Sequence, residues 1–83
     1  MPNENTTLFN FEEIETASTR KTLEEVYDAL EERGYNPVNQ IVGYLISGDP
    51  GYISSYKEAR TKMQQVDRAK IVEILLKEFR EKK

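Results

Sequence analysis

The 83-residue sequence contains no cysteine and no histidine. Without cysteine there are no disulfide staples, no thiolate metal sites and no thiol nucleophile. Without histidine the commonest general base near neutral pH and the commonest metal ligand are also missing. Carboxylates are plentiful, but Glu12-Glu13, Glu24-Glu25 and Glu31-Glu32 are sequence neighbours and do not converge on one helix face. The turn Gly48-Asp49-Pro50-Gly51 lacks the glycine spacing and the lysine of a phosphate-binding loop. No loop has the oxygen-ligand spacing of a calcium site. The composition predicts a protein without catalysis, bound metal or cofactor.

Long apolar runs are missing too, so no segment approaches the roughly 20 residues needed to span a bilayer. The start of the chain, MPNENTTLFNFEEIE, is acidic where a secretory signal begins basic. The expected compartment is the cytoplasm, with no membrane insertion. The net charge is −3, and it is unevenly spread. Residues 1–18 carry four acids and no basic side chain, whereas residues 56–83 carry nine basic and five acidic ones. An acidic chain is a poor general nucleic-acid binder, because phosphate contacts supply most non-specific affinity.

What is present reads as helix. Residues 1–17 are rich in Asn, Thr and Glu and lack sustained periodicity, which predicts a flexible acidic tail. The apolar LFNF within it is compatible with a short docked or β-like segment. Thr19 or Thr22 can cap a first helix, Thr22 with Glu25 having capping-box spacing. Leu23, Val26, Tyr27 and Leu30 then mark one helix face. Gly34 stops that helix, and Asn36 with Pro37 caps and starts the next. Gly48 ends the second helix, and Asp49 with Pro50 repeats the cap-and-proline device for a single turn. Ser55 with Glu58 offers another capping box, and Asp67 a cap for the last helix. The prediction is an all-α domain of four to five helices over residues 18–83.

Two of these helices are apolar over too wide an arc. At 100° per residue, Val38, Ile41, Val42, Tyr44, Leu45 and Ile46 cover about 200°, and Ile71, Val72, Ile74, Leu75, Leu76 and Phe79 a similar arc, against the ~100° stripe of a helix packed on one side. Burial on two sides, as in a homodimer, is the expectation. Residues 33–53 also hold all four glycines of the chain. Gly34, Asn36, Pro37, Gly48, Asp49 and Pro50 are explained as stops, starts and caps. Gly43 is not, since a mid-helix glycine costs about 1 kcal/mol relative to alanine; a helix crossing there is the expected reason. Tyr35, Asn39, Gln40, Tyr44, Tyr52 and Tyr56 remain as candidates for a partner or dimer surface, because tyrosine joins apolar area to a polar tip.

The block GYNPVNQIVGYLISGDPGYI, followed by KEAR and a charged amphipathic C-terminal helix, resembles the IreB-type family of small regulatory phosphoproteins of low-GC Gram-positive bacteria. The likeness covers about residues 22 to 80 and extends to a T-x-x-F pattern at Thr6 and Phe9. Gly51, Ser54, Thr61 and the order Asp67-Arg68 depart from the family's usual pattern, and a second family threonine would fall at Asn3. The resemblance implies a cytoplasmic all-helical homodimer with an unstructured N-terminal tail. Its tail threonine, here Thr6 or the adjacent Thr7, would be the substrate of a membrane-anchored Ser/Thr kinase with extracellular PASTA repeats, a cognate phosphatase reversing the mark. The role implied is control of cell-envelope homeostasis and of resistance to cell-wall antibiotics, through a downstream protein that the sequence does not name. The basic side chains Lys57, Arg60, Lys62, Arg68 and Lys70 are candidate receivers of the added phosphate. Two other readings are a helix-turn-helix-like nucleic-acid module around Gly34 and a small-molecule site near the tyrosines.

Overall fold

The computed structural model describes the backbone of residues 2–82 and the side chains of residues 11–82. Among them are four α-helices and no strand: α1 (Pro2–Glu32), α2 (Pro37–Ser47), α3 (Ala59–Gln64) and α4 (Arg68–Glu81). Two short turns, Pro50–Tyr52 and Tyr56–Glu58, join α2 to α3. The all-α expectation holds.

The local stops and caps act as their residue types dictate. Gly34 takes φ +84°, and the chain closes α1 with Tyr35 N–H donating to Leu30 O and Gly34 N–H to Glu31 O, the two bonds of a Schellman motif. Asn36 caps α2 by accepting from the Asn39 amide, with Pro37 at the first helical position. Gly48 ends α2 at φ +77°. The guanidinium of Arg68 fills the space where a Gly48 side chain would stand, and it donates to Leu45 O at 3.1 Å. Asp49 caps the Pro50–Tyr52 turn through the Gly51 amide, and Asp67 caps α4 through the Ala69 amide.

Three expectations are corrected. The first helix does not start at Thr19 or Thr22, because α1 is continuous from Pro2. The expected division after residue 17 is therefore not an element boundary, and no β-like segment forms around Phe11. The helix formers Glu12, Glu13, Glu15 and Ala17 carry α1 through residues where apolar periodicity is absent. Phe11, Ile14 and Ser18 lie on one side of it, lining a shallow groove of about 300 Å³ shared with Val66 and Lys70. Second, Ser55 makes no side-chain cap; Lys57 and Glu58 instead take left-handed backbone, φ 51° and 63°.

The third correction concerns Gly43. No helix crosses it; the ring of Tyr52 lies where its Cβ would be, 2.5 Å from the ideal position. The Gln40 side chain holds the segment there by donating to Tyr52 O at 2.8 Å. Gly43→Ala is expected to lower stability by about 1 kcal/mol, since overpacking costs about 1–3 kcal/mol and helix propensity returns about 1 kcal/mol at most. In a Tyr52→Ala background the same substitution becomes stabilising. Urea denaturation of the four proteins reads the change of sign.

α1 is the spine, packing against all three other helices. Its Val26, Ala29 and Leu30 meet Ile41 and Tyr44 of α2, Ile53, Ala59 and Met63 of the α3 region, and Ile71 of α4 in one buried cluster. Leu30, Ile53, Met63, Ile71 and Val26 are its fully buried side chains.

Candidate functional site

The two wide apolar arcs are each split by the fold. In α2, Ile41 and Tyr44 enter the core while Val38, Val42 and Ile46, spaced by four, face outward; Ile46 is 79% exposed. In α4, Ile71 and Ile74 are buried while Val72, Leu75, Leu76 and Phe79 face outward; Phe79 is 68% exposed. Leu23 and Tyr27 of α1, Val38, Val42 and Leu45 of α2 and Leu75 of α4 border a common apolar cleft of about 160 Å³. Three helices thus contribute to one uncovered apolar face. Contiguous apolar patches of this kind mark interaction sites in soluble proteins.

The tyrosine set does not form one surface. Tyr44 is only 6% exposed and belongs to the core, so it is not available to a partner. Tyr52 packs on Gly43, and Gln40 is spent on the Tyr52 carbonyl. Tyr35 and Asn39 are exposed at the start of α2. Tyr56 is half-buried, its hydroxyl donating to Glu32 at 2.9 Å and its ring flanked by Arg33. Thr6 and Thr7 lie outside the residues whose side chains are described. The face that the candidates missed is carried by Val38, Val42, Leu45 and Leu75, with Ile46, Leu76 and Phe79 exposed on the same two helices; its signal was the width of the two arcs.

The five basic side chains named as candidate phosphate receivers already have partners within the domain. Lys57 pairs with Glu32 at 3.0 Å, Lys62 with Glu25 at 3.3 Å and Lys70 with Glu73 at 3.6 Å. Arg60 donates to Ile53 O and Arg68 to Leu45 O. α2, the second helix of the helix-turn-helix-like pair, carries no basic side chain.

The hydrogen bonds from Lys57 and from the Tyr56 hydroxyl hold the Glu32 carboxyl below its ordinary range. Reciprocally, Glu32 raises the Lys57 ammonium. A carboxyl depressed on folding contributes stability above its unfolded pKa, and that contribution is lost as pH falls through the folded value. Asp28 lies near enough to favour the charged Lys57 as well. Wild type is therefore expected to be more stable than Glu32→Gln at neutral pH, the difference shrinking as pH falls below the ordinary carboxyl range. Thermal melts across pH 3 to 7 check this, the effect being small because both groups are exposed.

The family model described as IreB regulatory phosphoprotein matches residues 4–81.

Proposed function

This chain belongs to the IreB regulatory phosphoprotein family, and we propose that it works as a cytoplasmic homodimer whose output is set by phosphorylation of Thr6 or Thr7. On this reading a PASTA-type Ser/Thr kinase adds the phosphate and a cognate phosphatase removes it. The system served is cell-envelope homeostasis and resistance to cell-wall antibiotics, reached through a downstream protein partner. Residues 18–83 are the dimerisation and regulatory part. No helix among the described residues is long and apolar enough to cross a membrane.

The observation that carries the reading is the uncovered face of α1, α2 and α4. A regulator without catalysis acts through what it binds, and this face offers a cleft lined by apolar side chains from three helices. A second copy suits it because Val42 and Ile46 present aliphatic knobs beside a cleft of the same chemistry, which permits self-complementary packing about a two-fold axis.

Phosphate adds about −1.5 to −2 charge at pH 7 to a segment with four acids and no base over residues 1–18. Lys57, Arg60, Lys62, Arg68 and Lys70 already have partners within the domain. This favours an effect of phosphorylation on partner contact over docking of the phosphorylated start of α1 on the basic third. The test is fragment mass spectrometry after incubation with a PASTA-type kinase domain. A phosphate on Thr6 or Thr7 that disappears in the double alanine variant is the expected result. No phosphate, or phosphate confined to Ser54 or Ser55, defeats the proposal.

A further inference from the structure

Lys57 and Glu58 are consecutive non-glycine residues with φ of 51° and 63°. In this region the Cβ of an L-residue crowds the neighbouring carbonyl, so single residues occur there at a cost and pairs more rarely. A strained pair persists only where its surroundings over-determine it, and here the restraints can be named. On one side Ile53 and Ala59 are buried. Arg60 spans the base of the turn, its Nε donating to Ile53 O at 2.8 Å and its amide to Ser54 O at 3.0 Å. The Tyr56 amide donates to Ser54 Oγ and the Glu58 amide to Ser55 O.

The crest of the turn is held differently, by one carboxylate at the end of α1. Glu32 accepts from the Tyr56 hydroxyl at 2.9 Å and from Lys57 Nζ at 3.0–3.1 Å. Arg33 and Lys57 flank the same tyrosine ring at 5.1 and 5.6 Å. Among the described residues Glu32 is the only acidic side chain bonded to this crest, although Asp28 faces Lys57 at longer range. All of these contacts are exposed, so they are individually weak and readily exchanged.

We infer that Ser54–Glu58 is a strained clasp with Glu32 as its catch. Closed, it is the turn seen here. Open, Lys57 and Glu58 return to ordinary backbone while Tyr56 and Lys57 separate from Glu32 and the Tyr56 ring leaves Arg33. Strain at Glu58 favours opening and the Glu32 bonds oppose it, so the two act on one equilibrium with opposite sign.

The inference is independent of the phosphorylation reading, and hydrogen exchange of the full chain tests it. The reporters are the Glu58 and Arg60 amides, with Leu30 and Ile71 as core controls. Glu32→Gln is expected to speed exchange at the reporters about tenfold while the core controls hold within about twofold. Glu58→Gly keeps the catch and removes the Cβ conflict; it should slow exchange at the Arg60 amide and, combined with Glu32→Gln, bring it back to within about threefold of wild type. Glu58→Ala keeps the Cβ and loses the charge, so it should reproduce wild type. The inference is overturned if Glu32→Gln leaves the reporters unchanged. It is equally overturned if Glu58→Gly accelerates exchange, or if Glu58→Ala slows it as much as glycine does.

Discussion

Leu30→Ala is expected to remove about 2–5 kcal/mol of stability, the range for truncating a fully buried leucine. Leu30 is wholly inaccessible and sits in the cluster where α1 meets Ile41, Met63 and Ile71. A chain of 83 residues has on the order of 4–12 kcal/mol in total at typical stability per residue. The substitution therefore removes about a sixth of the fold's stability at the least, and about half or more of it at the lower end of that range. Urea denaturation followed by circular dichroism measures the loss. Protein concentration must be held fixed, because a dimer's apparent stability depends on it. A loss under about 1 kcal/mol would mean that the core is not organised around α1.

Val42→Asp combined with Leu76→Asp is expected to dissociate the proposed dimer while leaving the helices intact. Both residues face outward in the single chain, Leu76 by 62% and Val42 by 45%, so neither substitution opens a cavity in the core. In a dimer each would lie in a dry interface, where losing a buried aliphatic side chain costs about 1.5–3 kcal/mol and an unpaired carboxylate adds to the cost. Two positions together amount to at least about 3 kcal/mol, or on the order of a hundredfold in the dimer dissociation constant. Far-ultraviolet circular dichroism should keep its helical signature while sedimentation moves to the monomer. Helix loss together with dissociation would show that protomer folding and assembly are one event.

The contrast between these two predictions follows the part of the sequence that was most legible. Periodicity located the apolar arcs of α2 and α4, and arc width led to the expectation that each is buried on two sides; one side of each lies in the core and the other is uncovered in the single chain. It could not assign the sides. Ile41 and Tyr44 went inward and Val42 and Ile46 outward because α1 approaches from one direction, and that direction is a tertiary fact. Caps were readable for the opposite reason. Asn36, Asp49 and Asp67 satisfy amides two or three residues away, so the whole device lies within the local sequence.

The misses have equally definite causes. Helix α1 was cut short because its first half is carried by helix formers rather than by an apolar stripe. Gly43 answers to a tyrosine ring nine positions later, and Tyr44 to a core assembled from four segments. Ser55 has capping-box spacing, yet the chain follows the Glu32 and Arg60 contacts into a left-handed turn instead. Arg68 was a candidate for phosphate and turned out to close the end of α2. All but the first depend on a partner outside the local sequence.

The claim on which the rest stands is that the face of α1, α2 and α4 is covered by a second copy of this chain. Light scattering coupled to size-exclusion chromatography, at tens of micromolar full-length protein, tests it directly. The account predicts a single species of about twice the 9.7 kDa chain mass, reduced to the monomer by Val42→Asp with Leu76→Asp. A wild-type species at 9.7 kDa would contradict it and leave that face to the downstream partner alone.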